Sequence, residues 1–277
     1  MLFKLITNMK IILSLVVLLT ILGCDNNSVE PTANSNSTTL SKHTPMRGSA
    51  LSFDGVDDYV EVPDDPSLDL TDGFTITAWI YLEEYTEWAS IVTKGGLPNG
   101  AGDANNYTIH QSGPYGAGNP DIATEFGHLR FTGSAYLPVP FPESSSIIPL
   151  HEWHFIAVTY DGTTLSFYYD GCLDGQYTLV GPLGTNDEPL HIGVDFPGGD
   201  EYWHGLIDEL KIWNKPLKKV HINAAMHGHS SPLANALVGY WRFDEGEGNI
   251  AHDHSRFGND GTLIGNPTWV SPGAPNP

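Results

Sequence analysis

Phe74-Thr75-Ile76-Thr77-Ala78-Trp79-Ile80-Tyr81 is the stretch on which the fold turns. Phe74, Ile76, Ala78 and Ile80 occupy alternate positions, with Thr75, Thr77, Trp79 and Tyr81 between them. Successive side chains of a strand point to opposite faces, so this period of two predicts a strand with one face on a core. Upstream, Leu51 and Phe53 share a face before an Asp54-Gly55 turn. Val60 and Val62 share the next, before Pro63 and Asp64-Asp65-Pro66. Downstream, His154 to Tyr160 is continuously apolar or β-branched, as a central strand would be. Asp161-Gly162 then leads into Leu165–Tyr169, and Asp170-Gly171 turns again; Asp-Gly suits hairpin turns that need positive φ. Leu190, Ile192 and Val194 mark another strand, and Leu206 to Trp213 another. Only Pro216 to Met226 reads as a helix, with Pro216 at its start and Gly228 as its stop. One short helix among many strands predicts an all-β fold, a sandwich or jelly roll. Residues 98–127, dense in Gly, Asn and Pro, form a long insertion; with Tyr107, Tyr115 and Phe126 it is a candidate binding loop.

The chain has 277 residues, within the range of one large all-β domain. It carries 12 Lys+Arg against 33 Asp+Glu, a formal charge of −21. Nucleic-acid partners are therefore disfavoured, because binding there needs cationic side chains to replace condensed counterions. Direct docking on an anionic membrane surface is disfavoured for the same reason. An acidic surface suits an exported protein and suits cations.

The first 23 residues are not part of the fold. Lys4 and Lys10 precede an apolar run, Ile11 to Leu22, that is too short for a comfortable membrane span. It ends in Leu19-Thr-Ile-Leu-Gly-Cys24, which resembles a bacterial lipobox. The resemblance implies transfer of diacylglycerol to the Cys24 sulfur, cleavage after Gly23 and acylation of the new amine. Two or three acyl chains on one residue give stable anchoring where one would be marginal. The expectation is a lipid-anchored protein of the bacterial cell envelope, in the inner or outer membrane, touching the bilayer only through its anchor. Cys172 is then the one cysteine left, expected as a small core-type residue with no intrachain disulfide. Residues 24–47, rich in Asn, Ser and Thr, read as a flexible tether reaching about 25–30 Å.

Five segments in order carry a family resemblance: Ala50-Leu-Ser-Phe-Asp-Gly-Val-Asp-Asp-Tyr-Val-Glu-Val62, Phe74-Thr-Ile-Thr-Ala-Trp-Ile80, Trp153-His-Phe-Ile-Ala-Val-Thr-Tyr-Asp-Gly162, Tyr169-Asp-Gly171 and Gly205-Leu-Ile-Asp-Glu-Leu-Lys-Ile-Trp213. Together they resemble the concanavalin A-like lectin/glucanase superfamily, and within it the laminin-G-like jelly roll of bacterial surface proteins. The resemblance spans 48–230 and implies a jelly-roll sandwich; folds of this kind host many activities, so it says little of function. Leu237-Val-Gly-Tyr-Trp-Arg-Phe-Asp-Glu-Gly246 and His254-Ser-Arg-Phe-Gly-Asn-Asp-Gly-Thr-Leu263 are similar to the first strand region of such domains, which normally precedes the Phe-Asp-Gly motif. Residues 231–277 are therefore expected to fold back and complete the same sandwich, since domain termini often lie close together. The alternative, the start of a second domain, would leave apolar strand faces exposed.

The resemblance also implies a structural calcium ion near Asp208 and the Phe-Asp-Gly loop. Alternation places Leu206, Asp208, Leu210 and Ile212 on one face, towards the interior, where a carboxylate needs a partner or a cation. Carboxylates and turn carbonyls suit calcium, so Asp54, Asp58 and Asp208 are the expected ligands, with Asp57 behind them. The competing reading has Asp208 accepting backbone N–H groups. His227-Gly-His229 and His252-Asp-His254 have ligand-like spacing but sit in no metal motif, and read as solvated or capping. His154 reads as structural. The glucanase Glu-x-Asp-x-Glu strand is missing, and Asp208-Glu209 would point to opposite faces. There is also no Gly-x-Ser-x-Gly, phosphate loop or His-Glu-x-x-His. The expectation is a binding module and not an enzyme.

Sugar-binding sandwiches stack pyranose rings on exposed aromatics. Trp88, Tyr115 and Trp203 lie in polar, turn-rich stretches and are the expected platforms, with Tyr85, Tyr107, Tyr136 and Tyr202 as further choices. Trp79, Trp153, Trp213 and Trp241 are assigned to packing. Three functions follow in order: glycan binding, a protein-interaction or adhesion module without a sugar site, and polysaccharide degradation. Loss of glycan binding in Trp88→Ala or Trp203→Ala would favour the first.

Overall fold

A computed structural model describes residues 48–95, 106–113, 126–134, 141–179, 181–229 and 233–275. The signal sequence, Cys24, the tether, Tyr115 and Tyr136 lie outside the described residues. Among those described, no helix is long and apolar enough to cross a membrane.

Two antiparallel sheets face each other. The first has eight strands: β1 (Ala50–Asp54), β3 (Phe74–Leu82), β7 (Trp153–Tyr160), β8 (Thr164–Tyr169), β9 (Cys172–Thr178), β11 (His204–Trp213), β12 (Leu237–Trp241) and β15 (Thr268–Val270). The second has seven: β2 (Tyr59–Val62), β4 (Ser90–Lys94), β5 (Tyr107–Gln111), β6 (Leu129–Gly133), β10 (Leu190–Ile192), β13 (Ile250–Ala251) and β14 (Gly261–Ile264). The order is β15-β1-β11-β3-β7-β8-β9 in the first, with β12 beside β11, and β13-β14-β2-β10-β4-β5-β6 in the second. Phe74, Ile76, Ala78 and Ile80 of β3 face inward and are fully buried, as their period of two dictates. They meet Val60, Val62, Tyr107, Ile109, Leu190 and Ile192 from the opposite sheet in one continuous core.

The C-terminal strands are distributed over both layers. β12 pairs with Leu210–Trp213 of β11, on the half of that strand's edge left by β1, which pairs with His204–Ile207. β14 pairs with β2, and β15 with β1. Trp241 and Phe243 are fully buried within the common core, and Trp241 Nε1 donates to the Asn259 carbonyl at 3.0 Å.

The outer face of the eight-stranded sheet carries a second apolar cluster. Trp79, Phe155, Ala157 and Trp213 from the strands pack there against Leu217, Ile222 and Ala225 around α1 (Lys219–Met226). The helix starts three residues after Pro216 and ends before Gly228, whose φ of 67° suits a residue without a Cβ. Two expectations change here. The 98–127 insertion contains β5, an inner strand of the seven-stranded sheet, so it is not simply a loop. Cys172 opens β9, half-buried and disulfide-bonded, where an unpaired core residue was expected.

Candidate ligand-binding face

Asp208 does not point into the sandwich. A β-bulge lies between Asp208 and Lys211, with Glu209 at φ 52°, and it breaks the simple alternation. Ile207, Leu210 and Ile212 face the core, whereas Asp208 pairs with Trp79 and lines a cavity of about 210 Å³ on the outer side, beside Glu209, Tyr240, Arg242 and Asp244. Its carboxyl accepts from the Glu209 and Ala274 N–H groups, each at 2.8 Å. Burial raises it to about 8, against the lowering effect of those two bonds. Asp208 thus ties the C-terminal tail to β11.

The structure therefore separates the expected calcium ligands. Asp54, Asp57 and Asp58 lie together, with ligand oxygens within 4.8 Å of one another, and Asp208 is not among them. β1 pairs Asp54 with His204, four residues before Asp208 along β11, which explains the distance. Asp58 accepts from Asp54 N at 3.1 Å and from Asn266 N at 2.7 Å. Burial first, and then Asp54, raises its carboxyl. His227, His229, His252 and His254 belong to no group of three ligands among the described residues. His154 Nδ1 lies 3.0 Å from Asp170 and 2.8 Å from the Tyr169 hydroxyl, and its ring stacks on Tyr169.

The expected aromatic platforms fare unequally. Trp203 is fully buried in the core, so its ring offers no face to a ligand. Tyr107 and Tyr202 are also buried, and Tyr85 is half-buried with its hydroxyl on the Ile148 carbonyl. Trp88 remains partly exposed, but its ring is engaged: it stacks on His110 at 4.7 Å and lies 4.8 Å from the Arg130 guanidinium carbon.

Trp88 marks a polar field on the outer face of the seven-stranded sheet. Cross-strand pairing sets Thr93 of β4 beside Thr108 of β5, Ser90 beside His110, and His110 beside Arg130 of β6. The loop after β10 lays two carboxyls over them. Asp195 accepts from Thr93 Oγ1 at 3.1 Å and from Thr108, and it is hydrogen-bonded to Glu201. Ser90 N donates to the Glu201 carbonyl at 3.4 Å. Burial, then the adjacent Asp195, Asp200 and Glu87, pushes the Glu201 carboxyl up to about 8. Two carboxyls in contact, one retaining a proton at neutral pH, form a paired donor and acceptor. Glu143 holds Arg130 through Nε, at 2.7 Å, and through Nη2. Sequence reasoning missed Asp195, Glu201, His110, Arg130, Thr93 and Thr108. The alternation in Tyr107-Thr-Ile-His-Gln111 was the one available signal, and it puts Thr108 and His110 on one face.

Residues 54–223, more than half of the chain, match the family model described as the concanavalin A-like lectin/glucanases superfamily. The protein belongs to that superfamily, and its fold is the corresponding jelly-roll sandwich. A search among curated protein sequences found no match. A structure from Bacteroides ovatus ATCC 8483, of a protein proposed to bind carbohydrate, is similar with a TM-score of 0.65 and 18% identity over 83% of this chain. The chain spans 62% of that protein's length. Domain 4 of AbnA, a GH43 extracellular arabinanase from Geobacillus stearothermophilus solved with arabinotriose, is similar at TM-score 0.48 and 19% identity. The alignment covers 69% of this chain and 83% of that one. The heptameric SAP-like pentraxin of Limulus polyphemus is similar at TM-score 0.47 and 15% identity, over 68% of this chain and 86% of that one.

Proposed function

We propose that the protein is a lipid-anchored carbohydrate-binding module of the bacterial cell envelope, binding its glycan on the outer face of the seven-stranded sheet. The observation that carries this reading is the largely buried polar field of Asp195, Glu201, Thr93, Thr108, His110 and Arg130, at a place where the opposite sheet shows apolar side chains under a helix. Hydroxyl-rich ligands need paired donors and acceptors at a partly dry surface. The similar Bacteroides ovatus protein, proposed to bind carbohydrate, supports the same reading. Binding without catalysis fits the acids: Asp195 and Glu201 touch, whereas glycosidase carboxyls stand roughly 5 Å or more apart across the sugar.

The test is calorimetry of the soluble domain against a panel of polysaccharides, beside an Asp195→Asn/Glu201→Gln variant. Binding to at least one glycan, weakened about tenfold or more in the variant while its melting curve stays cooperative, is the expected result. A wild-type domain that binds no glycan defeats the reading and leaves the protein-interaction alternative. Release of reducing ends from the panel would make it an enzyme.

The anchor rests on the lipobox at Cys24. Mass spectrometry of membrane-extracted protein should show Cys24 acylated at its sulfur and at its new amine. A mature chain without acyl groups would remove the anchor.

A structural calcium ion fits Asp54, Asp57 and Asp58, whose raised Asp58 carboxyl a cation would relieve; Asp208 has no place in such a site. Its expected role is to hold the β1–β2 loop against Gly265-Asn266.

A further inference from the structure

The outer face of β4–β6 contains two buried polar atoms that have lost water without gaining a partner. His110 Nδ1 lies 3.0 Å from the Gln111 carbonyl, which can only accept, so Nδ1 carries the ring proton and Nε2 presents a lone pair. That Nε2 has no hydrogen-bond partner, and His110 is 1% exposed. Arg130 is fully buried, and Glu143 occupies its Nε and Nη2 but leaves Nη1 without an acceptor. Other buried polar atoms without partners, such as Trp203 Nε1 and Tyr107 Oη, occur in the core. Here an unmatched acceptor and an unmatched donor sit on cross-strand neighbours beneath one indole ring.

That ring belongs to Trp88, in the Thr86–Ala89 turn that joins β3 to β4. Trp88 has φ 62°, a conformation that turns favour for Gly or Asn and that costs a bulky side chain. Its ring is nevertheless held over His110 and Arg130, with Nε1 donating to Glu87 at 3.2 Å. Trp88 shares this cover with Phe141, whose ring lies 5.5 Å from the Arg130 guanidinium carbon and 6.1 Å from the indole, and a strained turn residue over unsatisfied groups is the arrangement of a cover that opens.

We propose that His110 Nε2 and Arg130 Nη1 read the hydroxyl groups of an uncharged glycan, and that Trp88 is the lid over them. This deepens the carbohydrate-binding reading and rests on it. A hydroxyl can donate to Nε2 and another can accept from Nη1, and neither brings charge. A uronate would meet Glu87, Glu143 and the Asp195–Glu201 pair around a single guanidinium that Glu143 already neutralises. An ammonium ligand brings donors but no acceptor, so it would leave Arg130 Nη1 unmatched. The ligand class is thus a neutral polysaccharide.

Stopped-flow and equilibrium binding of the soluble domain to neutral and uronate-containing polysaccharides test this, using wild type, Trp88→Ala, His110→Phe and Arg130→Lys. The expected pattern is preference for a neutral polymer, association at least threefold faster in Trp88→Ala without loss of affinity, and affinity at least tenfold lower in His110→Phe. Phe keeps the ring that stacks under Trp88, and a cooperative melt shows that fold survives. Arg130→Lys keeps the charge but has one nitrogen in place of three, so it cannot hold Glu143 and present a free donor in the same fork, and it should also weaken binding. Wild-type affinity in both His110→Phe and Arg130→Lys overturns the reading pair. Abolished binding in a well-folded Trp88→Ala overturns the lid and makes Trp88 a platform. Preference for a uronate polymer overturns the ligand class. In those three outcomes the glycan function stands, whereas binding to no polysaccharide at all brings down that function and this inference together.

Discussion

The two outer faces of the sandwich have been put to different uses. On the eight-stranded sheet, Trp79, Phe155, Ala157 and Trp213 lie under α1, and the face behaves as a second core. On the seven-stranded sheet, the equivalent outward positions hold Thr93, Thr108, His110 and Arg130, which are buried as well but remain polar. Apolar burial stabilises a layer by removing area from water, at roughly 25 cal/mol per Å². Polar burial brings no such gain and costs about 1–3 kcal/mol for each group left unsatisfied. The difference teaches where to look for function: a face that keeps expensive groups has a use for them.

The strongest challenge to this contrast is deletion of residues 231–277. It removes β12 and β15 from one sheet, β13 and β14 from the other, and Trp241 from the core. The expected result is loss of the cooperative thermal transition and loss of both outer faces together. A truncation that stays soluble and melts cooperatively would show that the C-terminal strands are not part of one fold.

Next in size is Ile222→Ala in α1, fully buried against the apolar face. It should cost about 2–4 kcal/mol in denaturant melts while glycan affinity stays within twofold. A matching loss of affinity would mean that the two faces are coupled.

Asp208 sharpens the contrast through pH. Its folded carboxyl stands at about 8, above the unfolded value of 3.8, so between those values the folded state holds a proton that the unfolded state has released. Stability should therefore fall as pH rises through that window, by up to about 1.4 kcal/mol per pH unit from this group. Glu201 acts in the same direction on the other face. Melting temperatures from pH 4 to 9 should fall more gently in Asp208→Asn than in wild type. Parallel curves would show that Asp208 does not carry the dependence.

A smaller effect, about 1 kcal/mol, is expected for Thr93→Val, which removes one bond to Asp195. Its affinity for glycan should drop although this loss of stability is the smaller of the two, the reverse of Ile222→Ala. The smallest effect separates the acidic corner from both faces. Millimolar calcium should raise the melting temperature by a few degrees over EDTA, and Asp57→Asn should reduce that shift with no change in glycan affinity. Identical melts in calcium and EDTA would remove the ion.

Much of the frame was legible without coordinates. Strict alternation in Phe74–Ile80, the Asp-Gly turns at 54, 161 and 170 and the apolar run from His154 to Tyr160 specify strands because pleat geometry and positive φ are local demands. Trp79, Trp213 and Trp241 pack as expected, the first two in the cluster under α1 and Trp241 in the main core, with Trp153 half-buried against the cluster. Asp208 was misplaced because one inserted residue, Glu209, shifts the phase of a strand, and a bulge leaves no composition signal. Trp203 was misplaced because polar neighbours in sequence say nothing of what packs on a ring in space.

The polar outer face shows where sequence stops. Side-chain period, turn chemistry and the lipobox pattern are written in neighbouring residues, so the chain alone determined a sandwich of strands and the expectation of a lipid anchor. Thr93, His110, Arg130, Asp195 and Glu201 come from four separate segments, and only strand pairing makes them neighbours. Their protonation and their unsatisfied atoms depend on what lies above them, a property of the closed tertiary structure, because desolvation acts through space and not along the chain.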